Sequence, residues 1–208
     1  MKILILGATG GTGIEIVRQA LEFGHDLTTL VRSPERLGDL REKVRVEKGS
    51  PLDLDALANA LYGKDVVLSA FGPRIPIDKG DEHLLRSFAH TLVQAMKMAG
   101  VRRVIVESAA FLFKDVVIPP AYLVGRLFFS KVVRDQADME RIVSGSDLDW
   151  TIMRPPRLTD SAMTGRVRIR YGHLPRFGFS IPRADVAYSF LKLLETPKSV
   201  RQIVGVSS

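Results

Sequence analysis

The residues Ile3-Leu4-Ile5-Leu6-Gly7-Ala8-Thr9-Gly10-Gly11-Thr12-Gly13-Ile14 decide the fold. Four consecutive apolar side chains read as a strand buried on both faces, and they run straight into a glycine-rich turn. Beyond the turn, Ile14, Val17 and Leu21 recur at helical spacing, so the turn opens onto a helix N-terminus. A junction of this kind puts unpaired amide N–H groups and the positive end of a helix dipole at the strand's carboxyl end. That arrangement suits an anion, and glycines allow both the tight turn and a close approach of backbone to phosphate. Gly7, Thr9, Gly10, Gly11, Thr12 and Gly13 are therefore expected to cradle the pyrophosphate of a dinucleotide.

Working outward, a second apolar run from Leu27 to Val31 follows Gly24-His25-Asp26 and ends at Arg32-Ser33, with Arg36 one turn further on. A site for NAD places a carboxylate there to accept from the ribose 2′-hydroxyl, whereas a 2′-phosphate requires a cation. Arg32, Ser33 and Arg36 thus favour NADP(H) over NAD(H).

The remaining chain alternates strand and helix. Pro34 to Leu40 reads as a short helical connection, and Val44 to Glu47 as a third strand closed by Gly49-Ser50-Pro51. Asp53 is placed to cap a helix bearing Leu54, Leu57, Ala58 and Leu61. A fourth strand, Asp65 to Ala70, ends in Phe71-Gly72-Pro73-Arg74, where Gly72 lets backbone lie near a ligand and Arg74 can clamp a phosphate or an acidic substrate. A helix from Glu82 to Ala99 carries the stripe Leu85, Phe88, Leu92, Ala95, Met96 and Ala99, with Gly100 as its stop. His83 and His90 on it are too far apart to share a metal and read as structural. The fifth strand, Val104 to Val106, ends Glu107-Ser108-Ala109-Ala110-Phe111. From Leu112 to Ser130 the chain is irregular and apolar, either a lid or a subunit contact. A helix from Lys131 to Ser144 and a sixth strand, Trp150 to Met153, precede Arg154-Pro155-Pro156-Arg157. Residues 155–182 read as a small basic substrate lobe with one strand, Arg166 to Tyr171. A last helix opens at Pro182, and Gln202 to Val206 closes the sheet. This order predicts a doubly wound parallel α/β sheet, the Rossmann arrangement.

The 208 residues suffice for a single well-cored domain spanning 1–208 and not for two independent ones. With no cysteine, disulfides, thiolate metal sites and cysteine nucleophiles are excluded. A core strand begins within two residues of Met1, which leaves no room for a signal peptide, and no apolar run has the length of a membrane span. A cytoplasmic monomer or small homo-oligomer is expected. The formal charge of +7 is not spread evenly: between Arg154 and Arg183 seven arginines face only Asp160 as an acid. Without a nucleic-acid-binding motif, this basic lobe suits an anionic small molecule better than a nucleic acid.

The Gly-Ala-Thr-Gly-Gly-Thr-Gly turn, Val31-Arg32-Ser33-Pro34, Ser108-Ala109, Leu148 to Pro156 and Arg183-Ala184-Asp185-Val186-Ala187 together resemble the atypical, extended-type branch of the short-chain dehydrogenase/reductase superfamily. Within it the likeness is to the NAD(P)H-binding group that includes biliverdin-IXβ/flavin reductases and NmrA-like redox sensors. The resemblance implies a Rossmann fold and an NADPH-dependent reductase of flavins or similar planar acceptors, or else a non-catalytic NADP(H) sensor. It implies that Ser108 stands beside the nicotinamide, with Pro155 near the cofactor. Where the group has an adenine-contacting Asp, this chain has Ser50, and where it has a histidine after Pro-Pro, Arg157 stands, a permanent cation able to pair with an anionic acceptor. Phe71 and Phe111 are placed to stack on a planar ring. The Tyr-x-x-x-Lys pair of carbonyl-reducing relatives is missing from the stretch between the fifth and sixth strands, where the nearest match is Tyr122-Leu123-Val124-Gly125-Arg126; the bare spacing recurs at Tyr188-Ser189-Phe190-Leu191-Lys192, on the last helix.

Overall fold

The computed structural model describes residues 1–73, 83–113 and 130–208. Arg74, the Tyr122 to Arg126 stretch and nearly all of the irregular segment from Leu112 to Ser130 lie outside them.

Strand β1 (Lys2–Leu6) lies deep in an eight-stranded sheet, and Ile3 to Leu6 are fully buried, as expected for a strand covered on both faces. The glycine turn delivers the chain into α1 (Gly11–Glu22), from which it returns as β2 (Asp26–Val31), parallel to β1 with Ile5 opposite Thr29. Between β2 and β3 (Arg45–Lys48) runs a 3₁₀ segment, Pro34–Lys43, broken at Gly38, whose φ of 55° requires a residue without a Cβ. Helix α2 (Leu54–Leu61) begins at Asp53, whose carboxylate accepts from the Ala56 N–H at 3.1 Å. Then come β4 (Val66–Ser69), α3 (Leu84–Ala99), β5 (Arg103–Glu107), α4 (Ser130–Ser144) and β6 (Asp149–Arg154). Gly100 ends α3 in the left-handed conformation at φ 71°.

The C-terminal part differs from the expected lobe. A short parallel pair forms between β7 (Arg157–Thr159) and β9 (Ser180–Pro182). By contrast β8 (Arg168–Tyr171) leaves that pair and joins the main sheet, antiparallel to β10 (Gln202–Ser207). Strand β10 is therefore not the closing strand: it is hydrogen-bonded on both sides, to β6 and to β8. Helix α5 (Arg183–Leu194) links β9 to the final strand. The sheet order is β3-β2-β1-β4-β5-β6-β10-β8, parallel except at β8.

Two apolar layers cover the sheet. Helices α1 and α5 bury Ile16, Val17, Val186 and Phe190 against one face, together with Ile3, Ile5 and Ile105. Helices α2, α3 and α4 bury Leu57, Phe88, Leu92 and Met139 against the other, with Leu4, Leu6 and Val104. Alternate residues of β1 and β5 thus serve opposite layers, which is why their sequences are apolar without interruption. The N-terminus of α3 is capped from outside its own sequence: Asp135 of α4 accepts from the N–H groups of Leu85 and Arg86 at 2.8 and 2.9 Å. This contact fixes α4 against α3 and so sets the wall behind β5.

Candidate functional site

Strand order reverses at β1, since β2 lies on one side of it and β4 on the other, and a crevice opens at the carboxyl ends there. A cavity of about 500 Å³ occupies it. Arg32 and Arg36 line the part beyond β2, Gly7, Thr9, Gly10, Gly11 and Thr12 the part over β1, and Phe71 and Gly72 the part beyond β4. Glu107 and Ser108 at the end of β5, with Gln136 of α4 and Leu158 and Arg183 opposite, complete the wall.

The glycines have separate duties. Gly7 has φ 77°, and a Cβ there would sit 2.5 Å from the Ala70 carbonyl oxygen, so the turn packs directly on the end of β4. Gly13 faces inward, where a Cβ would come within 2.1 Å of the Gly7 oxygen; it lets α1 approach the turn. Gly10 donates to the Gly7 carbonyl at 2.9 Å and precedes the first helical residue, Gly11. The amides of the first helical turn have no carbonyl behind them within the helix, so they are directed at the cavity. A cradle kept open by absent side chains, facing a helix N-terminus, fits a dinucleotide pyrophosphate.

Arg183 of α5 lies across this cradle. A Cβ on Gly11 would meet its Cδ at 2.6 Å, and its Nη1 reaches Asp160 Oδ1 at 2.6 Å. Asp185, fully buried two residues on, accepts from Thr164 N–H and Oγ1 and from Gly165 N–H, which ties the β7–β8 connection to the start of α5.

At the β5 end, Ser108 is buried and its hydroxyl is engaged twice: it donates to Glu140 Oε1 and accepts from Gln136 Nε2 at 3.1 Å. Glu140 is held in turn by Arg154, Nε to Oε1 at 2.9 Å and Nη2 to Oε2 at 2.5 Å. The Arg154 guanidinium also lies 4.5 Å from the centre of the Phe113 ring. Glu107 faces the opposite way. Burial pushes its carboxyl up from the ordinary 4.5 to about 7, against the pull of the Arg183 guanidinium and a hydrogen bond from Thr12.

Of the residues singled out in the sequence, Gly7, Thr9, Gly10, Gly11, Thr12, Arg32, Arg36, Phe71, Gly72 and Ser108 share this cavity. Phe71 also packs on Phe88, ring centres 4.6 Å apart, so one side of it belongs to the core. Ser33, Ser50, Phe111, Pro155 and Arg157 are not on the cavity wall. Pro155 is buried, and its carbonyl accepts from Ala110 N–H at 2.9 Å. Arg157 and Phe111 are exposed. The basic stretch is less free than its composition suggests: Arg154 and Arg183 are paired, and Arg168 donates to the carbonyls of Arg176 and Ser208 at 2.7 and 3.0 Å. Sequence reading missed Glu107, Gln136, Glu140 and Arg183 as site residues. The available signal was strand alternation, which sends Glu107 and Ser108 to opposite faces.

No helix among the described residues is long and apolar enough to cross a membrane, and no group of metal-ligating side chains occurs among them.

Known proteins fit this architecture. The chain is 29% identical over 177 residues to a 3-diazoavenalumate denitrifying reductase of a Streptomyces species, covering 74% of this chain and 55% of that enzyme. Among solved structures, ChuY, an anaerobilin reductase from Escherichia coli O157:H7, superposes with a TM-score of 0.82 at 23% identity, over 100% of this chain and 97% of that one. A wide-type short-chain dehydrogenase/reductase from Veillonella parvula, solved in complex with NADP, gives 0.81 at 21% identity, over 100% and 94%. At these identities the two structures speak to the fold. A family model described as NAD(P)H-binding matches residues 7–197. With nearly the whole chain matched and the glycine cradle in place, this protein belongs to the NAD(P)H-binding family, and its fold is the Rossmann arrangement.

Proposed function

We propose that this chain is an NADPH-dependent reductase that passes hydride to a flavin or a similar planar conjugated acceptor. The observation that carries the reading is the pair of guanidinium groups, Arg32 and Arg36, on the cavity wall beyond β2, where no carboxylate among the described residues lines the wall. They would hold a ribose 2′-phosphate, with Ser33 close by and the amides of α1 on the pyrophosphate. Bound there, the cofactor supplies the hydride. The protein's share is to bind, orient and exclude water.

Ser108 has one lone pair left after donating to Glu140 and accepting from Gln136, so it serves as an acceptor that orients the carboxamide of the nicotinamide. Phe71 lines the cavity, and Phe111 would offer its exposed ring to a planar acceptor. Arg157 and the other cations of 155–182 would pair with the acceptor's anionic side. A planar conjugated acceptor suits this wall because it delocalises the incoming charge and takes its proton from water, so it needs no tyrosine acid. The test is oxidation of NADPH, followed by absorbance, with FMN as acceptor, against the same assay with NADH. Turnover with NADPH supports the reading, and turnover only with NADH overturns the cofactor assignment.

A second reading, a non-catalytic NADP(H) sensor, is favoured by the Ser108 hydroxyl, whose proton is already committed to Glu140. Tight NADP(H) binding with no turnover on flavins or other conjugated acceptors selects it.

A further inference from the structure

Glu107 is the cavity group to which the proposed reaction gives no task. It is the last residue of β5, on the same face as Ile105, toward α1 and α5, while Ser108 turns toward α4. Its side chain lines the same cavity as Gly10, Gly11 and Thr12, and it is hydrogen-bonded by Thr12, in the first turn of α1. Arg183, from α5, is the cation that faces it.

That cation is shared, because Arg183 is held at 2.6 Å by Asp160. Among the described residues, Arg154, Glu140 and Asp185 at this end are already engaged. Arg154 of β6 is bound to Glu140 of α4 at 2.5 Å, and Asp185 of α5 accepts from Thr164 and Gly165. Arg32 and Arg36 stand beyond β2, across the width of β1 and β4. A carboxyl is thus built into the wall of an anion cradle with half a counter-ion. Its burial already favours the neutral acid, and a diphosphate arriving at the cradle brings like charge beside it, which favours that form further.

We propose that Glu107 takes up one proton from solvent when the dinucleotide binds, and remains in the complex as a neutral carboxylic acid that donates a hydrogen bond. No other bond forms or breaks: a carboxylate and a solvent proton become a carboxylic acid. The inference rests on the dinucleotide reading above and adds a proton to it. No histidine lines the described cavity to compete for the role.

Titration calorimetry of the full chain with NADP⁺ at pH 8, in buffers of different ionisation enthalpy, counts the protons. At that pH the cofactor's 2′-phosphate, with a pKa of about 6, is fully ionised before and after binding. The expected result is uptake of roughly half to one proton, with Kd weakening by up to about tenfold per pH unit from pH 7.5 to 9. Glu107→Gln is expected to bind NADP⁺ with neither the uptake nor the slope. Binding without uptake in the wild type, or uptake that persists in the Gln variant, overturns the proposal and leaves the dinucleotide reading standing. No heat with either NADP⁺ or NAD⁺ overturns both. Infrared difference spectra of the wild type need no variant: a carboxylic acid C=O band gained on NADP⁺ binding supports the proposal, and its absence overturns it.

Discussion

Arg154 and Glu140 form a two-pronged ion pair from which solvent is largely shut out, their side chains 11% and 8% exposed. Because the Ser108 hydroxyl hangs from the same carboxylate, this pair is the frame on which the β5 end of the cavity is built. Removing one partner strands a buried charge, so Arg154→Ala is expected to cost about 3–5 kcal/mol of unfolding free energy. The double change Arg154→Met with Glu140→Leu is expected to cost less than that single one. Urea denaturation of the two variants checks the order.

Arg32→Glu replaces the cation beyond β2 by the residue type that recognises a free ribose. NADPH affinity is expected to fall about 10- to 100-fold or more, the worth of a charge-assisted contact, with NADH affinity kept or improved. Titration of both nucleotides measures the switch.

Gly13→Ala and Gly11→Ala separate packing from surface. An added methyl at Gly13 meets backbone at 2.1 Å, whereas at Gly11 it meets the Arg183 side chain, which can move. Gly13→Ala is expected to lose on the order of 2–4 kcal/mol or fail to fold, and Gly11→Ala roughly 1 kcal/mol or less. Chemical denaturation reads both.

Ser108→Ala removes the donor to Glu140 and the acceptor for Gln136. A loss of about 1–2 kcal/mol in stability is expected, together with a modestly slower hydride transfer. Single-turnover NADPH oxidation beside a urea melt distinguishes the two effects.

Glu107 imposes a pH dependence on folding with a definite sign. Its carboxyl is raised in the folded protein, so the unfolded chain ionises first as pH rises, and stability drains away between about 4.5 and about 7. Glu107→Gln is therefore expected to be more stable than the wild type at pH 8, by up to about 3 kcal/mol, and to show no such advantage at pH 4. Thermal melts at the two pH values decide it.

The parts of the fold legible in the sequence are those written in neighbouring residues. The β1 run, the glycine turn, the Asp53 cap and the α3 stripe each follow from spacing within one element, and each is found in place. Pairings that join distant residues were hidden. Arg154 looked like one more free cation because its partner stands on α4, and Asp135 gave no sign that it caps a helix fifty residues earlier. Strand β8 was visible as a strand, but its alternation could not say that it would desert the lobe for β10. Glu107 carries no mark of its place in its own neighbourhood of the sequence. Only the three-dimensional wall shows a carboxyl turned toward the cradle.

The detour of β8 leaves the sheet with two rims of four residues each, β3 reading Arg-Val-Glu-Lys and β8 reading Arg-Ile-Arg-Tyr. Short borders bearing arginine and lysine repel their own kind, so two molecules brought rim to rim gain few ladder bonds and meet like charge. The same basic residues that raise the overall charge thereby guard a mostly parallel, aggregation-prone architecture against end-to-end zipping into fibres.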